Sequence, residues 1–382
     1  MGFHEFSSPY DWSRIAAYKR TAKAAFGGMI DLSVGSPVDP VPDSVRKALA
    51  VAANDPNAYG YPATAGTADL RAAIAEWFSA TRNVDLQAIH ADVVPTVGSK
   101  EGVALMASLL HFGEDDVVVQ PKVSYPTYEI GTQLAGAQVL KVDDVADVAS
   151  WRNVPGVKAV WVNSPCNPTG EVYSAERMAG IVAAAREIGA VVLSDECYAL
   201  MQWRGATNSA DDDPLQSTPC ALRSDVCAGS AEGVLVLYSL SKQSNMAGYR
   251  TAFIAGDESL IASMSAYRKQ IGQIIPGPVQ AAMAAGLRDL ESVKVQHARY
   301  RERLGVLVSA LRAYGYCTDM PDGALYVWVR AKSGDCWTDM EQLAKIGIIA
   351  SPGEFYGAPE CLRFSATASD EVIASAAERL AR

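Results

Sequence analysis

Short apolar runs of strand length, each followed by a polar turn and a helical stretch, recur from about residue 46 to residue 275. This alternation predicts repeated βα units, and hence an α/β fold with a large, doubly wound mixed sheet buried on both faces. The rest of the chain is predicted to form a small α+β domain. We therefore expect residues 44–277 to form the large domain. Residues 1–43 should be an N-terminal segment of the small domain, and residues 278–382 should supply an interdomain helix and the rest of the small domain.

Several elements are predicted outside the repeating pattern. A long helical stretch is expected from Val279 to Ala313, followed by strands at Ala324–Val329 and Cys361–Ser365. The polar segment 205–233 is expected to be a long surface excursion with a short helix. Its aspartate run, Asp211–Asp213, is interpreted as solvated rather than as a metal site.

Composition limits the functional classes. The chain has 382 residues, 49% apolar content and a formal net charge of −10, which allow a large core and disfavour nucleic acid and anionic membranes as partners. No apolar run is long enough to span a bilayer, and Met1–Arg20 lacks the apolar core of a signal peptide. Seven cysteines without a Cys-x-x-Cys pair favour reduced thiols, and the four histidines lack metal-ligand spacing. These features predict a cytoplasmic protein.

A serine- and lysine-containing segment follows the apolar run Gly233–Tyr238. It places Ser239, Ser241 and Lys242 directly after a buried strand, with Arg250 eight residues beyond the lysine. A lysine amine can form a Schiff base with an aldehyde cofactor, while hydroxyls and a guanidinium hold a phosphate. Taken alone, the segment is equally compatible with a lysine in a polar surface loop.

Two other strand ends carry polar residues of the same kind. The predicted strand Val157–Asn163 leads into a Pro- and Gly-rich turn that contains Asn167, and the strand Ala190–Ser194 delivers Asp195 and Tyr198. A buried aspartate needs a cationic or hydrogen-bonded partner, and a protonated pyridine nitrogen is one. Each residue alone could be a turn, capping or packing residue; their common position at strand ends predicts a shared site.

Together these motifs resemble the class I and II aminotransferases, fold type I enzymes that use pyridoxal 5'-phosphate (PLP). The resemblance implies that Lys242 carries the cofactor, that Asp195 pairs with the pyridinium nitrogen, and that Tyr198 assists catalysis. Asn167 and Tyr198 would contact the 3-oxygen of the ring. The phosphate would be held by Ser239, Ser241 and Arg250.

Further segments extend the cofactor site. Gly98, Ser99 and Lys100 stand between a predicted strand and an apolar helix, where helix N–H groups can bind an anion, and they match the family's phosphate-facing positions. By the same resemblance, Tyr125 would stack on the pyridine ring, with Tyr128 as the rival candidate.

The resemblance also implies substrate contacts and a homodimer with shared active sites. Gly35 would approach the substrate through its backbone, Asn167 would contribute beside it, and Arg363 would bind the α-carboxylate by a two-pronged salt bridge. Tyr61 would reach the phosphate bound by the neighbouring subunit.

Within the family, the segments around Gly35, Tyr61, Asp195 and Lys242 look most like actinobacterial N-succinyldiaminopimelate aminotransferases. This implies amino transfer between glutamate/2-oxoglutarate and an N-succinylated diaminopimelate precursor in lysine and diaminopimelate biosynthesis. Another class I amino-acid aminotransferase, or a C–S β-lyase on the same fold, shares every cofactor residue and stays open. A PLP-fold transcription regulator lacks support because Met1–Gly28 is too short for a basic DNA-binding helix pair.

The residues that bind the distal end of a long substrate are less constrained. The family's dicarboxylate-specific enzymes use a second arginine from the partner subunit, near the segment Arg268–Pro278 of this chain. Arg268 and Lys269 are present there, but neither is assigned to that position. Lys100, Arg20 and the Tyr10–Trp12 segment are further candidates for the rim of the cleft.

Overall fold

A computed structural model gives the fold of this chain and describes residues 10–56, 58–203, 215 and 218–381. Its centre is a seven-stranded sheet. In spatial order, the strands are Ala91–Val97, Thr251–Asp257, Val234–Ser239, Val191–Asp195, Val157–Asn163, Val117–Pro121 and Gln138–Val142. All run in one direction except Thr251–Asp257, which is antiparallel to both its neighbours. The predicted mixed α/β sheet is confirmed.

Helices cover both faces of this sheet. Along Val234–Ser239, Val234 and Val236 pack into one apolar cluster, whereas Leu235 and Leu237 pack into another. Because side chains alternate between the faces of a strand, burial of both faces explains the uninterrupted apolar runs in the sequence. The longer helices are Asp43–Ala53, Ala68–Trp77, Ser99–Leu109, Thr127–Leu134, Ala175–Glu187, Glu258–Gln270 and Gly277–Arg288. Short helical turns are Phe78–Arg82, Val148–Ser150, Ser224–Cys227, Leu240–Gln243 and Ala247–Tyr249.

A third apolar cluster joins the beginning and the end of the chain. Ile30–Asp31 pairs in parallel with Ile348–Ile349, and a three-stranded antiparallel sheet lies beside them. That sheet consists of Ser351–Pro352, Cys361–Ser365 and Tyr326–Arg330. The helices of this part are Trp12–Ile15, Ala16–Ala24, Leu290–Ala313, Cys336–Lys345, Gly353–Tyr356 and Asp370–Leu380. The domain limits at residues 43/44 and 277/278 stay predictions.

The predicted helix from Val279 to Ala313 is wrong in one respect, because it is two helices separated at Asp289. The Asp289 side chain accepts hydrogen bonds from the backbone N–H (3.0 Å) and the hydroxyl (2.8 Å) of Ser292, so it caps the second helix. A short helix does occur in the polar excursion, at Ser224–Cys227, whereas Asp211–Asp213 lies outside the described residues. No described helix combines the length and apolar character needed to cross a bilayer.

Candidate active site

A cavity of about 380 Å³ opens where three neighbouring parallel strands end. Asn163, Asp195 and Ser239 are the last residues of these strands, so the polar residues that follow them converge at one edge of the sheet. The predicted site residues that line the cavity are Gly35, Ser99, Lys100, Tyr125, Asn167, Asp195, Tyr198, Ser239, Ser241, Lys242, Arg250 and Arg363. Gly98 adjoins this lining, whereas the side chain of Tyr61 is fully exposed outside it.

Lys242 lies in the short helix that follows the strand Val234–Ser239. Ser239 begins that helix by accepting a hydrogen bond from the backbone N–H of Ser241 (3.1 Å). The Lys242 ammonium donates to the backbone carbonyl of Gly35. Burial lowers the pKa of Lys242, and the nearby Arg363 cation lowers it further, which outweighs the opposing influence of Tyr326. The site therefore favours the neutral, nucleophilic amine.

Asp195 is a buried carboxylate with hydrogen bonds but no cationic partner among the described residues. The Tyr128 hydroxyl donates to one oxygen (2.7 Å) and the Cys197 backbone N–H to the other (3.2 Å). Burial raises the pKa of Asp195 despite these bonds. A protonated ring nitrogen would supply the missing positive charge.

The two tyrosines that were rivals for the stacking position occupy different places. Tyr128 stacks on Trp161, with ring centroids 4.4 Å apart, and uses its hydroxyl to hold Asp195. Tyr125 lines the cavity. Of the two, Tyr125 is therefore placed to face a bound ring, and Tyr128 is a support for the aspartate.

Arg363 is a buried cation without an acidic partner in the described part of the chain. It donates to Asn167 Oδ1 (2.7 Å) and to the backbone carbonyl of Ser33 (2.9 Å), and its Nε has no hydrogen-bond partner among those same residues. Its guanidinium carbon lies 4.0 Å from the centre of the Tyr326 ring and 4.7 Å from that of Tyr356. A charge held between two aromatic faces with an unused N–H is suited to a ligand carboxylate.

The opposite end of the cavity is suited to a phosphate. Gly98 has a φ of +80° and precedes the helix Ser99–Leu109, whose first N–H groups have no partner within the helix. A Cβ added at Gly98 would lie 2.2 Å from an Arg250 Nη, so the arginine packs directly on the glycine backbone. Arg250 is itself held by a bond from its other Nη to the Ala247 carbonyl (2.7 Å).

Some cavity residues were not predicted as site residues. They are Val34, Cys197, Ala247, Tyr326 and Tyr356. Tyr10 and Trp12 line it as well, in agreement with their candidacy for the rim.

Two distal-end candidates lie elsewhere. Arg268 is fully buried and forms an ion pair with Glu101 (2.7 Å), so it is committed to a structural contact within the subunit. Arg20 is exposed on the helix Ala16–Ala24 and does not contribute to the lining. Lys100 is the candidate cation that does line the cavity.

The sheet and the arrangement of charges around it define a fold type I transferase that uses PLP. A buried acid for the pyridinium, a lysine for the aldehyde, a helix N-terminus with an arginine for the phosphate and a further arginine for a carboxylate fit the cofactor and an amino-acid substrate together.

Comparison with known proteins assigns the family. The model for aminotransferase class I and II matches residues 27–380, and the chain belongs to that family. It is 40% identical to 4-dedimethylamino-4-oxo-anhydrotetracycline transaminase OxyQ of Streptomyces rimosus over 97% of this chain and 98% of the relative. It is also 40% identical to a probable aminotransferase of Mycobacterium tuberculosis, over 97% of this chain and 84% of the relative. The structure of a probable N-succinyldiaminopimelate aminotransferase from Thermus thermophilus superposes with a TM-score of 0.84 at 27% identity. The superposition covers 97% of this chain and 99% of that structure.

Proposed function

We propose that this aminotransferase moves an amino group between glutamate/2-oxoglutarate and N-succinyl-2-amino-6-oxopimelate, giving N-succinyl-LL-2,6-diaminopimelate. The observation that carries the proposal is a pair of cations in one cavity, Arg363 inside it and Lys100 at its rim, for which the described residues supply no carboxylate partner. One cation suits the α-carboxylate at the reacting centre, and the other suits an acidic distal group. LL-diaminopimelate aminotransferases are among the relatives, as in Syntrophobacter fumaroxidans at 29% identity.

When bound, PLP supplies an aldehyde for the amino group and an electron-withdrawing ring. Asp195 holds that ring protonated, because its buried carboxylate stabilises a neighbouring cation. Arg363 orients the substrate through its carboxylate. The Lys242 amine, whose pKa is lowered by burial, would take the α-proton on Nζ and later return it. Asn167, fixed by the bond between its backbone N–H and Asn163 Oδ1 (2.7 Å), keeps the arginine in position.

The rim of the cavity supports a substrate with a long distal part. The Lys100 ammonium lies 5.5 Å from the centre of the Tyr10 ring, and Tyr10 packs edge-on against Phe355 at 5.6 Å. Trp12 contacts the same phenylalanine at 5.3 Å. A lysine held over an aromatic wall can meet a terminal carboxylate, while the wall covers the methylenes that precede it.

A second candidate substrate is a polycyclic ketone. The S. rimosus relative is, by its name, a transaminase for a 4-oxo-anhydrotetracycline, and it covers nearly the whole chain at 40% identity. The aromatic lining of Tyr10, Trp12, Tyr125 and Tyr356 favours a flat ring system as well. These side chains make the ketone the rival to test against the acyclic substrate.

The deciding experiment has two stages. Loss of the holoenzyme's visible band with glutamate and its recovery with 2-oxoglutarate would establish amino transfer and exclude a C–S β-lyase. Next, kcat/KM is compared for the succinylated substrate, the tetracycline ketone, aspartate, alanine and aromatic amino acids. We expect the succinylated substrate to lead. If another substrate leads by tenfold, about 1.4 kcal/mol of transition-state stabilisation, the substrate assignment is wrong while the aminotransferase assignment stands.

The Lys100 contribution can be separated by substitution. Lys100→Met should lower kcat/KM for the succinylated substrate about tenfold more than kcat/KM for alanine, because only the former presents a distal carboxylate. Lys269→Met is the matched control, since Lys269 is exposed on the helix Glu258–Gln270 and outside the cavity lining. An equal loss for both substrates would contradict the distal role.

A further inference from the structure

Tyr326 occupies the centre of the active site although no motif points to it. It is 2% exposed, and its hydroxyl lies 2.7 Å from the hydroxyl of Tyr198. A Cβ at Gly35 would come within 2.2 Å of the same Tyr326 oxygen, so this position accepts only glycine while the tyrosine is in place. The ring of Tyr326 supports the Arg363 guanidinium from 4.0 Å.

The pair of hydroxyls has a defined direction once Tyr198 has a ligand to bind. A tyrosine hydroxyl carries one proton, so a Tyr198 that donates to the cofactor's 3-oxygen, as the family resemblance implies, can only accept from Tyr326. Burial by itself would raise the pKa of Tyr326, but Lys242 and Arg363 outweigh it and the pKa is lowered.

We propose that Tyr326 is a positioning residue: by donating to Tyr198, it directs the Tyr198 proton onto the cofactor's 3-oxygen. Two aligned hydrogen bonds polarise each other, so the bond from Tyr326 to Tyr198 strengthens the bond from Tyr198 to that oxygen. This role goes beyond the substrate proposal and is the same for every amino acid the enzyme accepts.

The effect of these two hydrogen bonds should be visible in the titration of the bound cofactor. Donation would stabilise negative charge on the 3-oxygen of a bound cofactor, and so would lower the pH at which the cofactor held by Lys242 loses a proton. The other groups that act on Tyr326 are Arg363, which also favours negative charge, and the Cys197 thiol, which opposes it. Removal of the Tyr326 hydroxyl leaves both in place.

The test is a pH titration of the visible absorption band of the holoenzyme. Tyr326→Phe should raise the midpoint by about 0.5–1 pH unit, the size of one weakened hydrogen bond. Tyr356→Phe is the matched control, because Tyr356 also packs on Arg363, at 4.7 Å, while its hydroxyl lies 3.1 Å from Ser351 Oγ. Its midpoint should equal that of the wild type.

A double variant shows whether Tyr326 acts through Tyr198. If it does, Tyr198→Phe/Tyr326→Phe should titrate like Tyr198→Phe alone. An unshifted midpoint in Tyr326→Phe, or shifts that add in the double variant, would overturn the proposal. An equal shift in Tyr356→Phe would also overturn it, because it would show that loss of either hydroxyl near Arg363 has the same effect.

Discussion

Asp195 and Arg363 place opposite charges in one cavity without pairing with each other. Asp195 receives hydrogen bonds from Tyr128 and Cys197, and Arg363 donates to Asn167 and Ser33. Buried charges are costly unless they are neutralised, so this arrangement lowers the stability of the protein until ligands of opposite charge bind. The charges that suit these residues to catalysis therefore lower the free energy of unfolding of the ligand-free protein.

Asp195→Asn should retain most PLP binding but lower turnover at least about 100-fold, a cost of roughly 2.7 kcal/mol, because a neutral amide does not hold the ring nitrogen protonated. Cofactor binding by absorbance and the rate of the glutamate half-reaction measure the two effects. Turnover close to that of the wild type would show that another group protonates the ring.

The same substitution should stabilise the cofactor-free protein at neutral pH. Burial raises the folded-state pKa of Asp195, so the folded protein holds this proton more tightly than the unfolded chain does. Wild-type stability from this group is then fully present below the ordinary carboxyl pKa of about 3.9 and declines as pH rises through the folded-state pKa. The advantage of Asp195→Asn in urea denaturation should grow with rising pH over that range; a constant or shrinking difference would contradict it.

Borohydride reduction of the holoenzyme followed by peptide mapping should attach the cofactor to Lys242. The lowered pKa of this amine and its position beside Ser239 and Ser241 single it out. A label on any other lysine would show that the assignment is wrong.

At the scale of elements, the site depends on how strand ends continue into helices. The turn at Gly98 brings the start of the helix Ser99–Leu109 against Arg250, which follows a different strand. Arg250 itself adopts a left-handed backbone conformation, with a φ of 57°, just before the strand Thr251–Asp257. A glycine and an arginine, both at positive φ, thus meet at the proposed phosphate site.

Gly98→Ala should weaken PLP affinity by about tenfold or more, since the new methyl group displaces the Arg250 guanidinium and strains a backbone of positive φ. Gly180→Ala is the control. Gly180 is exposed within the helix Ala175–Glu187, and a Cβ there meets no atom of the described residues within 4 Å. That change should leave affinity unchanged and raise stability by about 0.5–1 kcal/mol. Equal affinities for both variants would exclude a tight contact at Gly98.

The structure places site residues where the sequence predicted them when their position depends on residues nearby in the chain. Asp195 ends an apolar strand and Lys242 lies three residues beyond the end of another, so the strand ends determine where both residues lie. Tyr326 could not be predicted, because its function depends on contacts with Tyr198 and Gly35, residues far away in sequence. The ion pair of Arg268 could not be predicted for the same reason, because its partner, Glu101, lies on a different helix.

At the scale of the whole molecule, the exposed tyrosines of the segment 58–61 indicate a surface suited to contact with another protein chain. Tyr59 is 85% exposed and Tyr61 is fully exposed, which is unusual for large aromatic side chains. We propose that this surface is buried in a homodimer, in which Tyr61 completes the partner's phosphate site.

Mixing tests this arrangement. Lys242→Ala and Tyr61→Phe chains should each be impaired, and a mixture that exchanges subunits should regain activity, because one site of each mixed dimer has both native residues. Light scattering gives the mass of the assembly. A monomer at assay concentration, or a mixture no more active than its components, would contradict shared sites.

The strand order also determines when the cofactor site can form during synthesis. The strand Ala91–Val97 lies at the sheet edge and pairs with Thr251–Asp257, which emerges from the ribosome much later. Until then, the edge strand has no described neighbour, and the helix that begins at Ser99 has no Arg250 beside it. Such long-range pairing is slow and leaves strand edges exposed to aggregation. The proposed phosphate site is thus complete only after Arg250 has been synthesised, so a nascent chain that stalls earlier lacks one of the groups that would hold the cofactor.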